Sequence, residues 1–332
     1  MIKKFIHKCL SLARMGNEWL CRLCATLSEA ARTQSYIETT SPTQADSLHK
    51  AIKEVDIRTI CKGYELLVRK CLSRLRFGRV KVALDTTEDP YWGKKGGSNS
   101  RASVDEKSKE SWQFLNLAIV EPYFVPLMSL PYRQTDSLDD LVIDLLQYLK
   151  YLPIRTDLVL FDRGFYHARL IDYLEARQIP YLIFVPRTDA VKRYFEQSTA
   201  ILNSFQHEMS YALDKSTWKP ETKIVICKGV GKDKLGNPLD WCFATNQKPS
   251  LSLVQEYKKR WNIETGFRIH DEAKIKTKSS HLLIRFFYHL LSMLFVLVWR
   301  VRRARRNFVL VFKRFLKEIE DDFLKLVAKP PA

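Results

Sequence analysis

The fold is decided by residues 79–87, which read RVKVALDTT. Apolar side chains at every second position are typical of a β-strand with one buried face. This strand runs into Asp85, and the turn-forming pair Asp89-Pro90 follows it. Residues 112–120 and 125–130 are rich in aromatic and β-branched side chains. The three segments predict three consecutive strands in a meander.

A helix, a strand, a second helix and a second strand follow the meander. Ser137 precedes residues 141–152 as a helix cap, and leucines recur on one face of that segment. Residues 157–161 form a continuous apolar run, which is typical of a fully buried parallel strand. A helix over 168–177 and a strand over 181–185 complete a β-α-β unit. The predicted order is therefore β-β-β-α-β-α-β.

Helices and further strands flank this unit. Residues 1–76 have apolar side chains three and four positions apart, which predicts a helical region. Two strands, at 222–227 and 241–245, are predicted in an otherwise irregular stretch. A long helix is predicted from Ser252, and an apolar helix over 281–299 follows it.

Charge is distributed unevenly along the 332 residues, in which Lys and Arg exceed Asp and Glu by 18. Residues 1–78 carry a net charge of +7 and residues 251–332 carry +10, whereas residues 79–250 carry +1. This surplus is typical of proteins with a polyanionic partner, either nucleic acid or an acidic membrane. The most hydrophobic stretch, residues 290–299, is shorter than the roughly 20 apolar residues of a spanning helix, which favours a core helix and no membrane partner.

The seven cysteines predict a reducing compartment, because an odd number in a chain of this length argues against a disulfide framework. Cys21 and Cys24 have the spacing of a zinc-binding pair, but no second pair at finger spacing follows them. Helical core cysteines are the favoured interpretation.

Three acidic residues are candidates for catalysis. Asp85 ends the first strand, Asp162 ends the fourth, and Glu264 lies on the helix from Ser252. If these two strands are neighbours, Asp85 and Asp162 lie side by side at the carboxyl edge of the sheet. Clustered carboxylates repel one another unless cations share them, so the triad predicts one or two Mg²⁺ ions, with Mn²⁺ as a substitute, and in-line displacement at phosphorus. Taken singly, each acid is also explained as a turn former or helix cap.

The residues around these acids resemble a known family. Tyr257, Arg260 and Glu264 have the spacing Tyr-x2-Arg-x3-Glu, and Asp162 begins the D-x-G-F pattern DRGF. The threonines after Asp85 are similar to the segment that ends the family's first strand. Over roughly residues 79–300, the chain resembles the insertion-sequence DDE transposases of the YREK-signature group.

The resemblance implies an α/β fold with a ribonuclease-H-like mixed sheet, flanking helices, a β-containing insertion before the last acidic residue and an N-terminal helical domain. The resulting domains are 1–76 (helical, DNA-binding), 77–187 (first part of the catalytic core), 188–250 (β-rich insertion), 251–306 (second part of the core, with the Glu helix) and 307–332 (C-terminal helical tail).

One helix face presents the signature residues to DNA. On an ideal helix, Tyr257, Arg260 and Glu264 share an arc of about 60°. The resemblance implies that Arg260 binds a phosphate beside the cleaved bond and that Tyr257 positions the backbone. The family usually has a Lys seven residues after the Glu. Asp271 occupies that position here, and Lys274 is the proposed substitute.

Four further residues are assigned to DNA. Trp218 and Trp241 lie in the insertion, where the resemblance implies an aromatic that stacks on a flipped base. Filling the insertion's own small core is the alternative interpretation for each. Arg302 and Arg303 belong to the run 300–306, with five arginines in seven residues, which either follows a DNA backbone or ends a solvated helix.

These features predict a transposase in which Asp85, Asp162 and Glu264 bind Mg²⁺, and whose partner is duplex DNA: terminal inverted repeats and target DNA. The resemblance implies a homodimer on paired ends, and the expected location is the cytoplasm, associated with the nucleoid. Two alternatives use the same residues. One is a ribonuclease-H-like nuclease that cuts without joining, and the other is a transposase-derived DNA-binding protein without chemistry.

Overall fold

The computed structural model describes residues 1–10, 16–91, 100–102, 110–209, 219–232, 235–305 and 309–328. The strands in these ranges form one nine-stranded mixed sheet. They are β1 (Arg79–Tyr91), β2 (Arg101–Ala102), β3 (Glu110–Glu121), β4 (Val125–Tyr132), β5 (Arg155–Phe161), β6 (Tyr181–Phe184), β7 (Leu202–Glu208), β8 (Glu221–Cys227) and β9 (Trp241–Thr245).

Helices cover the sheet and precede it. They are α1 (Ile2–Cys9), α2 (Asn17–Thr33), α3 (Ile37–Thr40), α4 (Pro42–Lys53), α5 (Ile57–Leu75), α6 (Leu138–Lys150), α7 (Ala168–Ala176), α8 (Asp189–Gln197), α9 (Ser252–Lys258), α10 (Trp261–Asp271), α11 (Leu282–Arg303) and α12 (Phe312–Ala328).

The predicted meander and the predicted β-α-β unit are confirmed. β1, β3 and β4 pair antiparallel in sequence order, as the alternation of apolar residues indicates. β5 pairs parallel with β1 and β6 pairs parallel with β5, with α7 as the crossover. Ser137 caps α6 by accepting a hydrogen bond from the Asp140 N–H. The fold is therefore a mixed α/β architecture with β1 and β5 at its centre.

β1 continues through the predicted turn at Asp89-Pro90, so that prediction is wrong. β1 pairs with β5 only as far as Leu84, whereas its pairing with β3 continues to Tyr91. Beyond Leu84, one side of β1 is a sheet edge, and proline is tolerated in an edge strand because its missing N–H is not needed there. Asp85 therefore lies within β1, at the point where parallel pairing ends.

Residues 188–250 extend the central sheet. β9 pairs antiparallel with β6, β8 with β9, and β7 with β8. The predicted strands of this segment are confirmed as β8 and β9, but α8 and β7 were not predicted. β7 is an edge strand with the polar sequence LNSFQHE, so it has little apolar alternation to reveal it.

The first and last parts of the chain pack together around α11. The predicted helical character of residues 1–76 is confirmed in α1 to α5, and Ser41 alone separates α3 from α4. α11 packs against α1, α4 and α5, and α12 packs along α2. By length and composition α11 is apolar enough to cross a membrane, but 89% of its most apolar window is buried within the protein.

Candidate active site

The sheet brings Asp85 and Asp162 together. Leu84 of β1 is paired with Phe161 of β5. Asp85 and Asp162, the next residue in each case, therefore lie at the same level along the two strands. Asp85 Oδ1 accepts the N–H of Thr86 at 2.9 Å, and Asp162 Oδ1 accepts the N–H of the next residue at 2.7 Å. These bonds from the neighbouring backbone fix both carboxylates at the carboxyl end of the parallel strands, where open α/β sheets bind ligands.

Tyr257 is buried and contacts the second acid. Its hydroxyl donates a hydrogen bond to Asp162 Oδ1 at 3.3 Å. Its ring lies in an aromatic cluster with Phe184 and Phe243, at centroid distances of 5.6 and 5.2 Å. Burial raises the pKa of Tyr257, so its hydroxyl remains a donor. Tyr257 therefore orients Asp162 in this structure, whereas the sequence predicted a contact with the DNA backbone.

The helix that carries the signature is interrupted, which corrects the prediction of one long helix from Ser252. α9 ends at Lys258 and α10 begins at Trp261. At the junction, Lys259 and Arg260 donate their N–H groups three residues back, to Glu256 and Tyr257, instead of four. A tight turn of this kind changes the direction in which Arg260 projects.

Two contacts hold this turn against the sheet. The Lys259 ammonium lies 2.6 Å from Glu121 Oε1, at the end of β3. Asn262 donates its side-chain N–H to the backbone oxygen of Val120 at 2.9 Å. Further along α10, a Cβ on Gly266 would lie 2.1 Å from the ring of Phe124, so this close approach requires glycine.

Arg260 bridges two of the acids. Its Nη1 donates to Asp85 Oδ2 at 3.4 Å, and its Nη2 donates to Glu264 Oε1 at 2.9 Å. The Arg260 side chain is only 7% exposed, and its Nε is buried without a hydrogen-bond partner in the part of the chain described. The three predicted acids are thus gathered around one guanidinium and one phenol.

Burial and neighbouring charges give Asp85 and Arg260 different protonation behaviour. Burial raises the pKa of Asp85 to about 6, with Arg260 opposing the shift and Asp162 and Glu264 adding to it. Burial by itself lowers the pKa of Arg260, but Tyr257 and the three carboxylates offset that loss and raise it above the ordinary value. Arg260 therefore stays charged, whereas Asp85 gains and loses its proton near neutral pH.

The acids do not form a closed metal cage in this arrangement. Across the described ranges, no group of three or more His, Cys, Asp or Glu side chains is placed to hold a metal ion. Arg260 lies between Asp85 and Glu264 and contacts both. Three ionised carboxylates against one guanidinium leave two negative charges, which is the charge of one divalent cation. The donor set is all oxygen, as Mg²⁺ prefers.

A polar network lies next to the backbone of Asp85. Asn116 is paired with Asp85 in the sheet, and its side-chain N–H donates to Thr87 Oγ1 at 3.0 Å. His289 Nε2 lies 2.9 Å from Asn116 Oδ1. Burial lowers the pKa of His289 well below its ordinary value, so the ring is neutral and donates to that oxygen. Asn116 and His289 were not predicted as site residues, since both lie inside apolar segments without a motif.

A cleft of about 440 Å³ opens beside the acids, between β1, α10 and α11. Asp85 and Glu264 line one part of it. Lys274 lines another part, and its ammonium lies 2.7 Å from Asp89 Oδ1. Arg285 Nη1 contacts the other Asp89 oxygen at 2.7 Å. Lys274, assigned to DNA phosphate from the sequence, is thus engaged by an acid of its own chain.

The other residues assigned to DNA are scattered. Trp241 is 7% exposed and donates its indole N–H to the backbone oxygen of Val230, so it fills the core as the alternative interpretation states. Trp218 lies outside the described residues. Arg302 is paired with Asp322 at 2.9 Å on α12, so it has a partner within the chain, and its assignment to DNA stays a prediction. Arg303 is exposed.

Trp261 is an exposed aromatic that the sequence analysis did not select. It begins α10 directly after Arg260 and is 48% exposed. On one continuous helix it would lie about 100° from Arg260 but only about 40° from Tyr257, just outside the arc of the three signature residues. The turn before α10 changes that geometry, and only the position of Trp261 within the signature segment pointed to it.

Comparisons with known proteins agree with this geometry. Residues 135–299, which include Asp162 and Glu264, match the family described as transposase DDE domain. The structure is similar to a piggyBac transposase solved by cryo-EM in a synaptic complex with hairpin DNA. The TM-score is 0.62 and the identity 13%, and the similarity covers 96% of this chain and 74% of that chain. No curated protein sequence matches the chain.

Proposed function

This chain belongs to the DDE transposases with a ribonuclease-H-like core, and from that premise we propose that it cuts DNA at the ends of its own insertion sequence and joins the 3′-OH ends to target DNA. The observation that carries the proposal is the convergence of Asp85 and Glu264 on Arg260, beside the Tyr257–Asp162 pair. The structurally similar piggyBac transposase is bound to DNA, which supports duplex DNA as the partner.

Asp85, Asp162 and Glu264 would hold Mg²⁺ or Mn²⁺, because their oxygen donors and their excess charge fit a divalent cation. A bound divalent ion activates the attacking oxygen and stabilises the leaving one. Tyr257 holds the Asp162 carboxylate in one orientation through its hydroxyl. His289 and Asn116 hold the backbone at Asp85.

Arg260 and Trp261 are the residues proposed to meet the substrate at this edge. The guanidinium of Arg260 is suited to clamp a phosphate bidentately beside the cleaved bond. The exposed indole of Trp261 offers a stacking surface next to it. Water is the proposed nucleophile in the first step and the freed 3′-OH in the second. A homodimer on paired ends, in the cytoplasm with the nucleoid, completes the proposal.

To test this proposal, the purified chain is incubated in Mg²⁺ or Mn²⁺ with labelled DNA that spans both flanks of its gene. Asp162→Ala is the inactive variant, and Asp172→Ala, on α7 and away from the acids, is the matched control. We expect cuts at matching inverted repeats and joined products with the natural chain and with Asp172→Ala only. Cuts without joined products indicate a nuclease, and binding without cuts indicates a non-catalytic DNA-binding protein. Undiminished activity of Asp162→Ala overturns the assignment of the site.

A further inference from the structure

Arg300, near the end of α11, is a largely buried cation that rings surround. Its guanidinium carbon lies 4.6 Å from the ring centre of Trp299 and 5.3 Å from that of Tyr123. Its Nε is buried without a hydrogen-bond partner, and none of the described carboxylates forms an ion pair with it. Burial, and then repulsion by Arg303, lowers the pKa of Arg300 to about 10. A buried cation without a counter-charge is unfavourable, so this site is suited to an anion from outside.

Arg303 adds a second cation to the same surface. It lies one turn further along α11, is exposed, and its guanidinium carbon is 5.5 Å from the Trp299 ring centre. Arg302, which lies between them in the sequence, points in another direction. Its guanidinium carbon is 5.6 Å from the ring centre of Phe315, and it pairs with Asp322. Among these three arginines, helical periodicity therefore separates the internally paired Arg302 from Arg300 and Arg303, which lie on another side of α11.

The end of α5 reaches the same surface. The ring centre of Phe77 lies 5.5 Å from that of Tyr123, and the Tyr123 ring in turn contacts Arg300. Arg76, just before Phe77, is exposed and has a φ of 48°, an uncommon conformation for a residue other than glycine. Its backbone therefore turns sharply at the surface. We call Arg76, Arg300 and Arg303, with the rings that connect them, the Arg300 patch.

The Arg300 patch and the acids lie toward opposite ends of two elements. On α11, His289 contacts Asn116, the residue paired with Asp85, and Arg300 follows eleven residues later, a rise of about 17 Å. β1 begins at Arg79, three residues after Arg76, and Asp85 follows six residues later, a span of about 20 Å. The patch is therefore separate from the acids.

We propose that the Arg300 patch is a second DNA-binding site, which holds the phosphate backbone of a duplex at a point separate from the bond that is cut. This inference rests on the proposed function, because it takes the substrate to be DNA. Guanidinium groups seated on aromatic rings have a fixed orientation and leave N–H donors for phosphate oxygens. Contacts of this kind set the position of the protein on the duplex without reading its sequence.

The test measures binding of the full chain to a duplex that carries an element end and to an unrelated duplex, in EDTA, between about 50 and 200 mM salt. Arg303→Gln removes an exposed cation, and Arg302→Gln is its matched neighbour. We expect Arg303→Gln to lower the slope of log affinity against log salt by about 0.9 on both duplexes, and Arg302→Gln to lower it by less than half as much. Equal slopes for the two variants, or an effect confined to the element end, contradict the proposal.

A second variant and a map of the contacts guard against a folding effect. Arg76→Asn removes another cation of the patch, and asparagine tolerates a positive φ, so the variant retains the turn. Interference by phosphate ethylation should show a signal separate from the phosphates at the cut, which Arg303→Gln and Arg76→Asn each weaken. A signal unchanged in both variants overturns the proposal.

The outcomes also distinguish this inference from the proposed function. Binding in EDTA needs no cleavage, so intact patch signals together with no Mg²⁺-dependent cuts would remove the transposase activity and leave the DNA site. Vesicles of phosphatidylglycerol serve as the competing polyanion. If Arg303→Gln abolishes vesicle binding and leaves DNA binding unchanged, the Arg300 patch is a membrane surface and the inference fails.

Discussion

Arg260 lies with Asp85, Asp162 and Glu264 at the carboxyl edge of the sheet, which we call the acidic edge, and Arg300 lies in the Arg300 patch. Both arginines are largely buried, but carboxylates contact Arg260 and aromatic rings contact Arg300. Arg260 contacts Asp85 and Glu264, and its pKa lies above the ordinary value. Arg300 lies between two rings, and burial lowers its pKa to about 10. At the first site the balancing anions are internal, and a cation is still needed. At the second site none of the carboxylates that the structure describes balances the cation, so we expect a bound partner to supply the anion.

The largest expected effect is the difference between removing an acid at the carboxyl end of the central strands and removing one at the far end. Asp85→Asn should reduce DNA cleavage by at least about 100-fold, because losing a metal ligand costs more than losing one of its supporting groups. Asp157→Asn, at the far end of β5, removes a mostly exposed pair with Arg79 and should leave cleavage within about twofold. Single-turnover cleavage with excess enzyme measures both. Similar losses for the two variants would mean that the acidic edge has no special role.

The next effect distinguishes the two arginines by their response to metal. Arg260→Met leaves Asp85 and the half-exposed Glu264 without their shared cation, and breaking a buried pair such as that of Arg260 with Asp85 destabilises a protein by about 3–5 kcal/mol. Mn²⁺ should restore more stability to this variant than it adds to the natural chain, since it supplies the missing charge. Arg300→Met should gain no more from Mn²⁺ than the natural chain does. Denaturant unfolding with and without Mn²⁺ is the measurement, and equal responses of the two variants would contradict the comparison.

The third effect concerns pH at the acidic edge. The folded pKa of Asp85 is raised to about 6, so its carboxyl is protonated below that pH and ionised above it. Only the ionised form binds a metal. Mn²⁺ affinity should therefore fall by about tenfold per unit as pH drops below 6, and should level off above it. Calorimetric titration with Mn²⁺ between pH 5 and 8 checks this, and Asp85→Asn should flatten the dependence. A flat profile for the natural chain would exclude Asp85 as a ligand.

The same shift affects stability with a defined sign. The pKa of Asp85 is raised above its unfolded value, so the folded state binds the proton more tightly. Without metal, ionising this carboxyl therefore destabilises the fold as pH rises from about 4 to 6, in contrast to an acid whose pKa is depressed.

The smallest effect is expected at Arg302, which resembles Arg260 in having internal partners but lies at the surface. Its pair with Asp322 is exposed, so Arg302→Gln should lower the free energy of unfolding by less than about 1 kcal/mol. The midpoint of denaturant unfolding measures this change. A loss of several kcal/mol would place Arg302 with Arg260, as a residue on whose pairing the fold depends.

The pairing of Asp85 with Asp162 could be predicted because it follows from strand order. Alternating apolar residues before Asp85, and a continuous apolar run before Asp162, identify a half-exposed and a fully buried strand. The β-α-β rule then places the second strand parallel and nearby. Backbone pairing fixes the positions of both acids, so no knowledge of side-chain packing was needed.

The bridge made by Arg260 could not be predicted, because it depends on a few backbone torsions. Periodicity describes Ser252–Asp271 as one helix, and the tight turn at Lys259 changes little in that pattern. The contacts that hold the turn, such as Asn262 with Val120, join segments far apart in the sequence. Trp241 was ambiguous for a similar reason, since an indole that fills a core and one that stacks on a base have the same local sequence.

The position of α11 has a consequence for synthesis on the ribosome. The apolar faces of α1, α4 and α5 pack against α11, which begins about 200 residues after α5 ends. At a synthesis rate of roughly 5–20 residues per second, α11 is made about 10 to 40 seconds after these helices, which until then have no α11 to pack against. During that interval they are available to chaperones. We therefore expect a truncated product that ends before residue 282 to be degraded by proteases instead of persisting as a competitor for the element ends.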